Sequence, residues 1–182
     1  MLTATATSPP PAGWALRPAL AADAEVLARL CAAHAAYEQI PHCADGHAER
    51  LAHGLEAGRL NAWLGFLHGC AVGYASATLD YATLAAQPFL HLDCLYLDPP
   101  ARSLGLGRAL LDAAVCRARS LGCAQLQWQT PVWNEGAIRF YDRLGATRLA
   151  KQRYTLVCGE VVPKAPKPLA SPAAERVSTI GG

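Results

Sequence analysis

The sequence predicts an α/β fold, a mixed and mostly antiparallel sheet of six to seven strands with helices on both faces. Three observations predict it. The chain has 182 residues, a length that suits one α/β domain with a full core. Apolar runs of strand length interleave with stretches of helical period. Gly and Pro punctuate nearly every junction between them.

The elements follow in order. Trp14–Pro18 reads as a short strand, and Asp23 stands where an N-cap would start a helix carrying Leu27, Leu30, Cys31 and His34. A second helical stretch covers residues 45–57 and stops at Gly58. Residues 61–67 and 71–78 flank His68-Gly69-Cys70 as the arms of a hairpin. Residues 89–97 (FLHLDCLYL) form a continuous apolar-rich run that stops at Asp98-Pro99-Pro100. Such a run fits a strand buried on both faces. A helix over 105–121 presents Leu106, Leu110, Ala113 and Ala114 and ends at Gly122. A strand over 126–129, a helix over 134–144 and a final strand over 153–158 complete the alternation.

The two ends read as tails. Residues 1–13 hold a Pro triplet in a Ser/Thr/Ala stretch, and residues 163–182 combine four Pro with few large apolar side chains. Neither buries enough surface to offset ordering entropy, so the expected single domain spans residues 14–162.

Charge and cysteine use narrow the class. Sixteen Lys+Arg against 14 Asp+Glu give a net charge of +2, too little to work by coating nucleic acid or an anionic membrane. No apolar run approaches the ~20 residues of a membrane span. The first residues carry no Lys or Arg before Arg17 and no apolar stretch, unlike a secretory signal. Seven Cys without a CxxC pair read as reduced thiols. The expected location is cytoplasmic. His42, Cys43, His47 and His53 have no standard zinc spacing, so no metal is expected.

The chemistry concentrates after the buried strand. There a Pro-stopped strand, a loop with Arg102-Ser103-Leu104-Gly105-Leu106-Gly107-Arg108, and an amphipathic helix follow one another. The first N–H groups of a helix lack intrahelical partners and its dipole is positive there, so this geometry suits an anion. A P-loop would need Lys-Ser/Thr after the glycines, and Arg108-Ala109 stand there; a dinucleotide fingerprint would need Gly or Ala at Leu110. Both fail. A second segment follows: Asn134-Glu135-Gly136-Ala137, then Phe140-Tyr141, then Gly145-Ala146. Asn134 can cap the helix it opens, and Asn134 and Tyr141, two turns apart, share a face.

Arg-x-x-Gly-x-Gly after a strand, followed by Asn-x-x-Ala-x-x-Phe-Tyr-x-x-x-Gly-Ala, resembles the GNAT N-acetyltransferases. Arg17-Pro18-Ala19, Asp23, Tyr37-Glu38, Tyr81 and Leu92-Asp93-Cys94-Leu95-Tyr96-Leu97 are similar in order to the diamine (spermidine/spermine-type) acetyltransferases. The resemblance covers Arg17 to Ala146. It implies acetyl-CoA as the acyl donor, with backbone at Leu95, Tyr96 and Leu97 on the pantetheine arm. Arg102, Ser103, Leu104, Gly105, Leu106, Gly107 and Arg108 would cradle the pyrophosphate, with Asn134, Glu135, Gly136 and Ala137 beside the arm. It further implies Tyr141 as the acid toward the departing thiolate, Tyr37 and Glu38 on the amine substrate, and Asp93 in the position of a strand glutamate. Members are often dimers, which implies a homodimer.

Two departures matter. Asp93 is one methylene shorter than Glu, and Cys94 replaces the second acid of the family pair. Fewer carboxylates make a weaker polycation site, so the expected acceptor is a primary amine of a small molecule, either diamine/polyamine-like or a smaller amino-acid-like or thialysine-like compound. An alkylamine has a pKa near ~10.4 and arrives protonated, so Asp93, with Glu38 or a water chain, is the candidate to steer or accept that proton. A backbone N–H near Leu95 would polarise the carbonyl. Direct transfer without an acyl-enzyme is expected. The alternatives are an acetyltransferase for a protein amine or an antibiotic, and a non-catalytic acyl-CoA sensor.

Overall fold

The computed structural model describes residues 13–159; apart from Gly13, the tails expected at 1–13 and 163–182 lie outside them. Five strands form one sheet in chain order: β1 (Trp14–Pro18), β2 (Asn61–Leu67), β3 (Cys70–Ala82), β4 (Gln87–Leu97) and β5 (Leu126–Gln127). The first three pairings are antiparallel, and β4–β5 is parallel. The α/β class and mixed sheet agree with the sequence reading.

Helices cover both faces. Helices α1 (Ala24–Glu38) and α2 (His47–Glu56) separate β1 from β2, α3 (Leu106–Ser120) crosses from β4 to β5, and α4 (Glu135–Arg143) follows β5. Under α3, its Leu106, Leu110, Leu111 and Ala114 pack on Trp63, Ala75, Ala77, Leu90 and Leu92. On the opposite face, Leu27 and Leu30 of α1 pack on Ala62, Leu64, Tyr74 and Tyr96. Leu30, Leu64, Leu90 and Leu110 are wholly inaccessible, each contributing on the order of 1.5–3 kcal/mol of burial.

Several local expectations change. Asp23 does precede α1, but its carboxylate caps nothing in that helix. It accepts from Arg17 at 2.6 and 2.7 Å and from the Leu20 N–H at 2.8 Å, tying the end of β1 to the 3-10 turn Ala21–Asp23. The Arg17 guanidinium and that N–H hold the Asp23 carboxyl down at about 2. The hairpin turn is two residues, His68-Gly69, both at positive φ, which matches the twist of the flanking strands. It therefore starts β3 at Cys70.

The final strand is overturned: residues 153–158 have no strand pairing. They alternate polar and apolar, yet Tyr154 and Leu156 are 90% and 86% exposed and no sheet edge meets them. Six or seven strands thus become five among the described residues.

The run over 89–97 meets a core on each face, but it is not continuously buried: Asp93 breaks it. Ser76 pairs with Cys94 and Ala77 with Leu92, leaving Asp93 as an extra residue without a partner on β3. This bulge flips the alternation: Leu90 and Leu92 face α3, as do Leu95 and Leu97, while Cys94 and Tyr96 face α1. Asp93 is exposed. Beyond the bulge β3 and β4 lie close, and a Cβ on Gly73 would stand 2.5 Å from the Tyr96 carbonyl oxygen and 3.1 Å from Leu97 Cα. Backbone cannot yield there as a flexible side chain would. Gly73→Ala is expected to lower stability by about 1–3 kcal/mol, read as a lower urea midpoint at unchanged slope.

Candidate active site

The sheet comes apart beyond the bulge. Strand β5 meets β4 only through Leu90↔Leu126 and His91↔Gln127, so from Leu92 onward that edge of β4 faces no strand. The chain then runs through residues 128–133 to α4. Between α1, β4 and that segment lies a cleft of about 630 Å³.

The inner face of α1 supplies one wall. Leu27, Cys31, His34, Ala35 and Glu38 fall at helical spacing and all line the cleft. Opposite them stand Tyr74, Ser76, His91, Asp93 and Cys94 from the sheet. The bulge turns the consecutive side chains of Asp93 and Cys94 into the same space. Asp93 and Glu38 therefore share one cleft, as the sequence reading requires of them. Lys151 and Arg153 add positive charge at its rim.

Polar contacts join the two walls. The His34 ring stacks on Tyr96 with centroids 5.1 Å apart, its Nε2 lies 3.3 Å from Glu38 Oε1, and its Nδ1 lies 3.0 Å from the Tyr74 hydroxyl. Burial drives the Tyr74 hydroxyl far above its ordinary range, with the Cys94 and Cys31 thiols adding to the shift. The Cys94 thiol, 3.5 Å from Asp93 Oδ2, is pushed up to about 12 by burial first and the Asp93 charge second. It is a thiol, not a thiolate, at neutral pH.

Tyr141 sits on α4 against Trp128, centroids 5.0 Å apart. Burial, with the Glu38 charge adding, pushes its hydroxyl up to about 12, so it holds its proton throughout the neutral range. Tyr37 departs from its expected place. Its side chain leaves the cleft and bridges to the α4 end: its hydroxyl lies 3.4 Å from Asn134 Oδ1, its ring 5.7 Å from Trp133, and Arg102 lies 4.6 Å over its face. Adjacent residues on α1 thus serve different regions, Glu38 the cleft and Tyr37 the opening of the sheet.

The loop before α3 has the form expected of an anion cradle. Gly105 caps α3 at φ 87° without any side-chain cap, Ser103 is also left-handed at φ 63°, and nothing lies within 4 Å of where a Gly105 Cβ would be. Leu106 packs on Gly65, which fixes the helix start against β2. The two arginines are otherwise engaged. Arg102 Nε donates to the Leu97 carbonyl at 3.0 Å, and Arg108 Nε to both Asp112 oxygens at 2.9 Å. Asn134 caps α4 by accepting from the Ala137 N–H at 3.2 Å, while Glu135 pairs with Arg139 at 3.0 Å on the surface. An open strand edge, an uncapped helix start and Gly105 in open space together fit an elongated donor with amide and phosphate groups, such as acetyl-CoA.

Comparison with known proteins agrees with this geometry. The acetyltransferase (GNAT) family matches residues 27–146. The chain belongs to that family. It is an enzyme of the acyltransferase class. It is 29% identical over 117 residues to a thialysine N-epsilon-acetyltransferase of Caenorhabditis elegans, a match spanning 64% of this chain and 72% of that protein. It is 28% identical over 83 residues to an L-ornithine N5-acetyltransferase of Arabidopsis thaliana, spanning 46% of this chain and 36% of that one. Among solved structures, an aminoglycoside N-acetyltransferase in complex with CoA superposes with TM-score 0.68 at 20% identity, covering 84% of this chain and all (100%) of that one.

The sequence reading missed His34, Tyr74, Cys31 and Ser76 as site residues. A signal existed for the first: Cys31, His34 and Glu38 share the otherwise apolar face of one helix. Tyr74 offered none, because a strand tyrosine looks the same whether it packs or works. His42 and His47 also line the cleft, their rings edge-on at 4.7 Å. Burial, with His42 and Arg50, lowers the His47 ring below its ordinary range. Among the described residues no three His, Cys, Asp or Glu side chains stand together as metal ligands, nor is any helix long and apolar enough to cross a membrane. In limited alkylation at pH 8, exposed Cys70, Cys116 and Cys158 are expected to label first, and Cys94 to resist until the fold is opened, by peptide mass spectrometry.

Proposed function

We propose that the protein transfers an acetyl group from acetyl-CoA to a primary amine of a small molecule, by direct attack in a ternary complex. The observation that carries this reading is the placement of Asp93 and Glu38 in one cleft at the split between β4 and β5, with Tyr141 close enough to feel the Glu38 charge. Acetyl-CoA, when bound, supplies a thioester activated toward amines. Backbone of residues 103–108 would hold its pyrophosphate, and backbone of Leu95, Tyr96 and Leu97, with Asn134 and Ala137, its pantetheine arm. Because Arg102 and Arg108 are engaged in the structure, backbone N–H groups of the α3 start carry most of the anion recognition.

The chain's own residues then divide the work. Asp93 and Glu38 take up the ammonium and orient its nitrogen. A backbone N–H near Leu95 polarises the acyl carbonyl. Tyr141 retains the proton that the departing sulfur needs. The raised Cys94 thiol speaks against an acyl-cysteine, since only thiolates are competent nucleophiles.

The acceptor is amino-acid-like. With two carboxylates and with Lys151 and Arg153 lining the same cleft, a polycation meets repulsion from the cations, whereas an amine that also carries a carboxylate finds both signs. The thialysine and ornithine acetyltransferases among the relatives support that class. We also propose that the enzyme works in the cytoplasm as a homodimer.

Detection of released CoA thiol tests the reading with a panel of thialysine, ornithine, lysine, putrescine, spermidine, an aminoglycoside and a lysine-containing peptide. Amine-dependent release is expected, highest with the amino acids. Tyr141→Phe should lower kcat about a hundredfold, and Asp93→Asn should act mainly on KM for the amine. No release with any amine would defeat the proposal; release confined to the aminoglycoside or peptide would reassign the acceptor.

A further inference from the structure

Deprotonation of the acceptor needs a group that can hold a proton, and a carboxylate is a far weaker base than an imidazole. The cleft contains an imidazole in the right setting. His34 is one helical turn from Glu38, its side chain only 13% exposed, with Nε2 at 3.3 Å from Glu38 Oε1. Because a carboxylate only accepts, Nε2 carries a hydrogen in the neutral ring and Nδ1 is left as an acceptor for the Tyr74 O–H at 3.0 Å. The Cys31 and Cys94 side chains line the same cleft as Tyr74. A hydroxyl can rotate, so this arrangement accommodates either state of His34. In the neutral state Tyr74 donates to Nδ1; in the charged state Nδ1–H donates to the Tyr74 oxygen, and the hydroxyl hydrogen turns away from the ring. The imidazolium meanwhile faces the Glu38 carboxylate.

We infer that His34, with Glu38 and Tyr74, receives the proton released by the acceptor ammonium. The inference rests on the proposed amine acetylation and adds to it a residue that neither the family motifs nor the sequence reading assigns. One N–H bond of the ammonium breaks, its electron pair staying on nitrogen for attack, and its proton goes to the Tyr74 oxygen as the Tyr74 O–H proton passes to His34 Nδ1; the imidazolium so formed faces the Glu38 carboxylate. The proton leaves to water through the open cleft after product departs. His34 is thus a proton-holding residue acting through Tyr74, and Asp93 keeps the role of seating the ammonium. The groups in contact with His34 are Glu38 from α1, Tyr74 from β3 and Tyr96 from β4; the other titratable groups that line the same cleft are Cys31 from α1, His47 from α2, His91, Asp93 and Cys94 from β4, and Lys151 and Arg153.

The test is the pH dependence of kcat/KM for wild type, His34→Gln and His34→Leu, with the best amine found above. Without its proton acceptor the enzyme depends on amine already deprotonated in solution. Each variant should therefore lose about a hundredfold near neutrality and recover to within a few-fold of wild type as pH nears the amine pKa of ~10.4. Amines of lower pKa should be favoured by the variants and not by wild type. Retained protection of each variant against heat by acetyl-CoA controls for folding. A loss of equal size at every pH, or no loss, overturns the role of His34 while leaving amine acetylation standing. Absence of turnover in the wild type overturns both.

Discussion

One extra residue in one strand organises this molecule. Asp93 has no partner on β3, and the resulting bulge reverses which face each later side chain of β4 occupies. Before it, Leu90 and Leu92 seal the core under α3; after it, Leu95 and Leu97 take over that task, and Cys94 and Tyr96 turn to α1. Regular pairing with β5 ends just before it, after His91. A sheet that continued flat would have bonded the edge of β4 to β5 and left no opening. Because hydrophobic burial holds the four leucines on one side, the bulge cannot slip by a residue without exposing them.

Helix α1 completes the site by closing over the opening. Its inner face is apolar where it meets Leu64 and Ala62 and polar where it meets the bulge, so one helix serves as core and as catalytic wall. The cleft is consequently neither dry nor uniformly acidic. Carboxylates, imidazoles and raised thiols sit against a buried tyrosine, an environment in which a proton moves short distances between groups already within reach. The same burial that raises Tyr74, Cys94 and Tyr141 keeps each in its protonated form, so the anionic character of the site resides in Asp93 and Glu38.

The proposed donor side is built from backbone, not from charge. The start of α3 is set by Leu106 against Gly65 and by left-handed Ser103 and Gly105, geometry that aims N–H groups outward. Arg102 spends its guanidinium on the Leu97 carbonyl and the Tyr37 face, linking the loop, the strand end and α1. Tyr37 and Asn134 extend that link to α4. One side of the opening is thereby bordered by residues that touch one another, from Leu97 through Arg102 and Tyr37 to Asn134.

Much of this was legible in the linear order of residues. Turn chemistry placed Gly58, Gly69, Gly105 and Gly122; periodicity placed the four helices; and the motif spacing placed Tyr141, Asn134 and the α3 loop, because each depends on neighbours close in the chain. The strand expected at 153–158 failed because alternation describes a strand's faces and says nothing of whether a sheet edge is there to receive it. The bulge lay half-visible in FLHLDCLYL, where leucines at 90 and 92 give way to 95 and 97, a break in period that only pairing with β3 converts into geometry. His34 and Tyr74 are 40 residues apart, and Tyr37 and Asn134 are 97 apart. By itself the sequence determined the four helices, the five strands that do form, and the family. Only the tertiary structure decided which side chains share the cleft, since contacts between distant segments follow from packing two faces of one sheet, and no local pattern encodes them.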